Sequence, residues 1–115
     1  MAPSTVKKVK PYPIDVQFVN PPPPFKGQIL KLYLQGFIAD VTGLLMKVGE
    51  ARQVTFEIPV SHFIIVANVR VMKTYDRTNP QTRKAERLVE CQFESVSEQC
   101  LRAMHSFLEA VGRFE

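Results

Sequence analysis

The stretch of residues 51–75, ARQVTFEIPVSHFIIVANVRVMKTY, carries the clearest structural pattern of this chain. Residues 51–58 alternate polar and apolar side chains until Pro59 ends the run, and a period of two indicates a β-strand with one buried face. Residues 62–75 form the longest strand pattern, and their first half is apolar at both sets of alternating positions. We therefore expect this half to be buried on both faces or covered by a helix.

Similar segments on either side complete a mainly β chain. The predicted strands are residues 14–19, 28–42, 44–48, 51–58, 62–75 and 87–94. Gly36 is expected to be a bulge or bend inside a continuing strand, and the polar residues 76–83 to be the turn of a hairpin. The proline-rich connector at residues 20–25 contains four successive prolines. Because prolines cannot donate ladder hydrogen bonds, this connector is predicted to be an extended polyproline II segment.

The C-terminal end has a different periodicity. Apolar side chains recur at helical spacing from Leu101 to Val111, which predicts an amphipathic helix over residues 97–113. A capping-box pattern at Ser95 and Glu98 precedes it. About six strands followed by one helix predict a six-stranded antiparallel β-barrel whose open side is covered by the C-terminal amphipathic helix.

Length and composition indicate a single domain. The chain has 115 residues, of which 45% are hydrophobic, so one barrel domain is expected over residues 12–115 after a flexible basic arm at residues 1–11. No apolar run approaches the roughly 20 residues that span a bilayer, and no apolar core follows the N-terminal lysines. We therefore expect a cytoplasmic protein without membrane insertion. Cys91 and Cys100 lack metal-ligand spacing, and reduced, buried thiols are expected.

The formal net charge of +4 is concentrated in two places. The N-terminal arm carries Lys7, Lys8 and Lys10, while residues 73–87 hold five cationic side chains against two carboxylates. A charge of this size suits an anionic partner, but it is also an ordinary solubility charge for a small domain. Because the chain has no tryptophan and no aromatic-rich basic motif, nucleic acid is not the expected partner.

The sequence contains no pattern typical of catalysis. It has neither a nucleophile elbow nor a phosphate-binding loop. His62 and His105 lie far apart in the sequence, and His62 precedes a strand while His105 falls on the polar side of the helix, so both are expected to be solvated side chains. We therefore expect a protein that is not an enzyme and has no metal or cofactor.

Several segments together resemble a PilZ domain. They are GFIADVTG at residues 36–43, VGE at 48–50, VTFEIP at 54–59, VRV at 69–71 and CQF at 91–93. The similarity runs over most of residues 27–114. PilZ domains are six-stranded barrels with a C-terminal helix, and many are bacterial cytosolic receptors for cyclic di-GMP. The family binds this dinucleotide with an RxxxR motif before the first barrel strand and a [D/N]xSxxG turn after the second.

This chain keeps only part of those motifs. Asp40 matches the acidic position and Thr42 replaces the serine, but Leu45 stands where the family has glycine. No arginine precedes Arg52, and residues 18–25 hold prolines where the family has its two arginines. Lysine lacks the planar guanidinium that stacks on a base and binds phosphate through two hydrogen bonds. The resemblance therefore implies a degenerate PilZ protein that does not bind cyclic di-GMP in the usual way.

Two functional hypotheses follow from this resemblance. The first is a non-enzymatic module of a bacterial signalling pathway that controls type IV pilus or gliding motility through protein–protein interaction. Its partner surface would be the basic hairpin with Arg77, Arg83 and Lys84, or the proline-rich connector.

The alternative is a divergent cyclic di-GMP receptor. The N-terminal lysines Lys7, Lys8 and Lys10 would fold over the dinucleotide, while Asp40 and Thr42 would contact the guanine edge. In either case exposed edge strands would allow pairing into a dimer.

Overall fold

The computed structural model describes residues 12–20, 22–41, 46–59 and 61–114. Its elements are β1 (Ile14–Asn20), β2 (Phe25–Leu32), β3 (Gly36–Asp40), β4 (Ala51–Glu57), β5 (Ile64–Thr78), β6 (Ala85–Val96) and α1 (Glu98–Phe114). Neighbouring strands are antiparallel and close into a barrel in the order β1-β2-β3-β6-β5-β4. The predicted six-stranded antiparallel barrel with a C-terminal helix is confirmed.

The barrel interior is filled by the apolar residues of each alternating strand. Phe37 on β3 lies near its centre, with its ring 5.8–6.3 Å from the rings of Phe18, Phe56 and Phe93. All three pairs have the edge-to-face geometry that aromatic side chains favour. The period-two pattern therefore identifies the buried face of these strands correctly.

Helix α1 closes an open end of this barrel. Cys100, Met104 and Phe107 are buried and belong to the same core cluster as the inward strand residues. The ring of Tyr12, just before β1, meets Phe107 edge to face at 6.3 Å. The hydroxyl of this tyrosine accepts a hydrogen bond from the backbone N–H of Leu32 at 3.1 Å. Among the described residues, no helix is both long and apolar enough to cross a membrane.

The serine that caps α1 differs from the prediction. Ser97 Oγ accepts a hydrogen bond from the backbone N–H of Cys100 at 3.2 Å, which is the geometry of an N-cap. Ser95 is not the cap, because β6 continues to Val96 and holds Ser95 in extended backbone. The capping-box interpretation was therefore wrong by two residues.

Gly36 forms a turn rather than a bulge in a continuing strand. The N–H of Tyr33 donates to the carbonyl of Gly36 at 2.7 Å, so the predicted segment 28–42 becomes the two strands β2 and β3. A Cβ atom at Gly36 would lie 1.9 Å from the carbonyl oxygen of Cys91. The glycine is therefore required by the close approach of β6 and not by a bulge.

The strand predicted at residues 44–48 is also wrong for the part that is described. Residues 46–48 are not a strand, and residues 42–45 lie outside the described ranges. Met46 is 2% exposed and joins the core, whereas Val48 is on the surface. Within residues 46–48, the apolar pattern therefore reflects one buried loop side chain rather than the alternation of a strand.

The first half of β5 contradicts the expectation that it is covered on both faces. Ile65 and Ala67 face the core, but Ile64 and Val66 on the outer wall are 53% and 49% exposed. Helix α1 packs against interior residues at the barrel end, so it does not shield this outer face. An exposed apolar strip therefore remains on β5.

The proline-rich connector reverses the chain between two adjacent strands. Phe18 of β1 lies opposite Phe25 of β2, and their rings stack at 4.8 Å. The Pro22–Pro23 peptide bond is cis. Because β1 and β2 pair antiparallel on either side of it, the connector reverses the chain, which differs from the extended polyproline II segment expected from its composition.

Candidate functional site

The basic hairpin, defined as residues 73–87, extends beyond the barrel. The last pair between β4 and β5 is Ala51 with Arg70, yet β5 continues to Thr78. From Lys73 onward β5 pairs with β6 alone, and the register runs to Thr78 opposite Ala85. The two strands therefore form a ribbon whose tip lies away from the barrel wall.

The tip of the basic hairpin is ordered by Asn79. Its side-chain Oδ1 accepts hydrogen bonds from the backbone N–H groups of Gln81 at 2.8 Å and Thr82 at 3.2 Å. The N–H of Arg83 donates to the carbonyl of Asn79 at 2.7 Å, and Arg83 has a φ of 59°. An asparagine side chain that bonds the backbone after it is a common way to stabilise a turn. Arg83 and its neighbour are thus presented on a defined loop.

The cations of the hairpin differ in their partners. Arg77 Nε lies 3.0 Å from a carboxylate oxygen of Glu86, and a guanidinium nitrogen of Arg87 lies 3.8 Å from Asp76. Arg83 and Lys84 are exposed and have no ion pair within the part of the chain that the structure describes. Arg83 and Lys84 thus form an adjacent pair of exposed cations at the tip, whereas Arg77 is already paired and Lys73, which is also exposed, lies at the base.

Asp40 lies at the other end of the hairpin, near its base. It is the last residue of β3 and is registered opposite Leu88 on β6 and Gln28 on β2. Gln28 in turn donates to Asp15 Oδ1 on β1 at 3.3 Å. At about 3.3 Å per strand residue, the base is roughly 15 Å from Arg83. The two groups of predicted site residues are therefore separate surfaces.

The remaining predicted nucleotide contacts cannot be placed. Lys7, Lys8, Lys10 and Thr42 lie outside the described residues. The arrangement that the alternative hypothesis needs around Asp40 thus stays a prediction.

The cysteines and histidines have surroundings that favour a structural role. Burial, assisted by the charge of Glu90, raises the pKa of the Cys91 thiol to about 12, so this thiol stays protonated. Cys100 is likewise buried and unbridged. His62 contacts Glu57 at 2.7 Å and His105 contacts Glu109 at 3.1 Å, both on the surface. Within the described ranges, no group of histidine, cysteine and carboxylate side chains has the geometry to hold a metal.

A further concave surface was not predicted from the sequence. It is a groove of about 400 Å³ on the outer wall, where Asn20, Gln53, Asn68 and Ser95 form a row. The row draws one residue from each of β1, β4, β5 and β6. These positions are spread over most of the chain, so only the strand register brings them together.

Two solved structures share this closed antiparallel barrel. The PilZ domain of YcgR from Escherichia coli, solved with c-di-GMP, superposes with a TM-score of 0.72 and 13% identity over 88% of this chain and 82% of that one. The Bacillus subtilis inhibitor of motility, MotI/DgrA, superposes with a TM-score of 0.67 and 17% identity over 90% of this chain.

These matches identify the fold as that of a PilZ domain, as the sequence resemblance predicts. The alignment covers 47% of the inhibitor of motility, so this chain spans about half the length of that protein. No family model matches the sequence, and no curated protein matches it.

Proposed function

We propose that this chain is a non-enzymatic, cytoplasmic regulator with a PilZ fold that acts in bacterial motility or signalling by binding a protein partner. Control of type IV pili or gliding is the output we expect. The observation that carries the proposal is the basic hairpin, which extends past the barrel and holds Arg83 and Lys84 exposed on an ordered turn.

The structural neighbours support a regulatory role. One is an inhibitor of motility and the other is a PilZ domain solved with c-di-GMP. Burial also disfavours Cys91 as a nucleophile, because its thiol is held in the unreactive protonated form.

The partner surface that fits this hairpin is acidic. Two exposed cations on a projecting tip attract an anionic surface over about a Debye length, and they accelerate association more than they strengthen the final complex. The proposal therefore includes a dependence on ionic strength, with weaker partner recovery as salt increases.

Reversing the charge at the tip tests this proposal. The variant Arg83→Glu/Lys84→Glu is compared with Lys26→Glu/Lys47→Glu, a control that changes the charge equally at exposed positions away from the hairpin. Each full-length chain is used as bait in a quantitative pull-down at two salt concentrations, and motility is measured in cells that carry the same variants. We expect the tip variant to lose recovery of its partner by about tenfold or more, while the control retains it. Unchanged recovery with the tip variant would remove the hairpin as the partner surface.

The usual family ligand is not part of the proposal. No arginine precedes Arg52, and the loop in front of β2 consists of prolines. Prolines cannot supply the planar guanidinium cation that binds guanine and phosphate together. We expect calorimetry with cyclic di-GMP at about 100 μM to give no heat, which would place any Kd well above the micromolar range.

The second candidate is the divergent cyclic di-GMP receptor. It is favoured by the superposition on a PilZ domain solved with c-di-GMP and by the position of Asp40 at the end of β3. The same calorimetric titration decides between the two. Heat that disappears in Asp40→Ala would establish the receptor in place of the ligand-independent regulator.

A further inference from the structure

The groove on the outer wall contains a row of polar side chains that is continuous across four strands. Asn20 is registered opposite Gln53, Gln53 opposite Asn68, and Asn68 opposite Ser95. Adjacent strands lie about 4.8 Å apart, so the row is roughly 14 Å long. Ala51, a small side chain, forms part of the groove lining beside the row. We call this surface the amide groove.

Two β-bulges orient the ends of this row. The register shifts between Phe18 and Asn20 on β1, which takes Asn20 out of phase with the inward residues of that strand. It shifts again where Asn68 lies opposite Ser95 but Val69 lies opposite Phe93. A bulge re-aims a side chain at the cost of an interrupted ladder, and bulges are common beside binding sites. The alignment of the row therefore depends on two interruptions of the regular strand pairing.

Within the described part of the chain, the side chains of Asn20, Gln53, Asn68 and Ser95 have no hydrogen-bond partner, although they lie side by side. Each amide offers one carbonyl acceptor and two N–H donors. The same donor and acceptor pair occurs in every peptide group of a main chain.

The charges around the amide groove are already neutralised. Arg70 Nε contacts Glu94 Oε2 at 2.7 Å, and its Nη1 donates to the carbonyl of Gly49 at 2.7 Å. Arg52 forms an ion pair with Glu50. Because each cation at the groove has its own carboxylate, the groove does not favour a phosphate or another anion over a neutral ligand.

An apolar strip borders the amide groove. Val66 and Ile64 precede Asn68 on β5 by two and four residues and point to the same outer face, where about half of each side chain is exposed. A peptide can bury them beneath an aliphatic side chain of its own while its main chain pairs with the amides.

We propose that the amide groove binds an extended, uncharged peptide segment of a partner protein, with its main chain hydrogen-bonded to Asn20, Gln53 and Asn68. At about 3.3 Å per residue, the row accommodates roughly four residues of extended chain. An aliphatic side chain of this segment lies over Val66. This site is separate from the basic hairpin and does not depend on the function proposed for that hairpin.

Selection from a random heptapeptide display library against the full-length protein tests this site. Asn68→Val removes one amide of the row, and the control Gln28→Val removes an amide on β2 that bonds Asp15, from a strand that contributes nothing to the groove. Valine is favoured in strands, so both variants are expected to fold. We expect the selected peptides to be uncharged and to contain an aliphatic residue. Asn68→Val should raise their Kd at least about tenfold, which corresponds to 1.4 kcal/mol, while Gln28→Val leaves it within twofold.

The outcomes separate this site from its alternatives. Chemical shift changes of the side-chain NH₂ groups of Asn20, Gln53 and Asn68 on peptide addition would support the contact directly. The inference is overturned if no selected peptide distinguishes the wild type from Asn68→Val, or if binding is lost only in Arg83→Glu/Lys84→Glu. It is also overturned if Asn68→Val converts a wild-type dimer into a monomer in sedimentation, because the occupant would then be a second copy of this chain.

Discussion

Replacement of Gly36 by alanine is the change for which the structure predicts the largest local conflict. A Cβ atom at this position would lie 1.9 Å from the carbonyl oxygen of Cys91, 2.9 Å from its carbonyl carbon and 3.0 Å from Cα of Gln92. All three atoms belong to the backbone of β6. No rotamer change can therefore relieve the contact, and β3 must move away from β6 by about 1 Å or more.

The loss in the free energy of unfolding follows from the backbone hydrogen bonds that this movement of β3 breaks. The pairs at Gly36–Gln92 and Phe37–Cys91 open first, and the hydrogen bond from Phe93 N–H to the Gln35 carbonyl, 2.8 Å long, lies beside them. Two to three backbone hydrogen bonds at about 1 kcal/mol each give a loss of about 2–3 kcal/mol. This agrees with the usual 1–3 kcal/mol for overpacking. Alanine regains about 0.4–1 kcal/mol by restricting the unfolded chain, so the net loss is about 2 kcal/mol.

Urea unfolding followed by far-ultraviolet circular dichroism measures this loss, since the chain has no tryptophan to follow by fluorescence. The matched control is Gly49→Ala. Gly49 has a φ of 91°, and apart from its chain neighbours no described residue lies within 4 Å of where a Cβ atom would stand, so its cost is backbone strain of about 1–2 kcal/mol without a steric clash. We expect Gly36→Ala to be the more destabilised of the two. If Gly36→Ala loses less than 1 kcal/mol, or less than Gly49→Ala, the required close approach of β3 and β6 is refuted.

Two further predictions concern the helix cap and the buried thiol. Ser97→Ala should lower the free energy of unfolding by about 1 kcal/mol and Ser95→Ala by much less, and the opposite order in urea unfolding would place the cap at Ser95. Because the folded-state pKa of Cys91 is about 12 against an ordinary value of 9.0, the folded protein retains a proton that the unfolded chain has lost between these values. Its contribution to stability is therefore complete below about pH 9 and falls as the pH rises towards 12. Cys91→Ala should lessen this fall, and an equally steep fall in the variant would contradict the assignment.

The strand pattern was predictable because alternation is a local property. Val54 and Phe56 alternate with polar neighbours, and both are buried in the barrel as predicted. The amphipathic helix was predictable for the same reason. The details that failed depend on contacts between distant segments. The sequence pattern predicts a bulge at Gly36, but the structure shows that the backbone of β6 passes beside this glycine. The pattern also predicts a strand at Met46, but this side chain fills the core from a loop.

The sequence likewise predicts only part of each candidate surface. The cationic cluster at the basic hairpin is visible in the sequence because Arg83 and Lys84 are adjacent to each other and flanked by turn residues. The sequence does not show that Arg83 and Lys84 are unpaired among the described residues, because this depends on Glu86 pairing with Arg77 rather than with one of them. Closure of the described barrel strands leaves the hairpin as the place where the edge-to-edge pairing allowed by the sequence would occur, and the dimer stays a prediction.

Local patterns in the amino-acid sequence predict the period-two strands, the terminal amphipathic helix, the cationic cluster and the lack of an arginine before Arg52. The three-dimensional fold is needed to see that the hairpin extends past the barrel, that Ile64 and Val66 stay exposed, and that Asn20 and Asn68 share one groove. The physical reason is that alternation reports which side chains share a face of a strand. It does not report what covers that face, which is decided by strand register and by the packing of the helix.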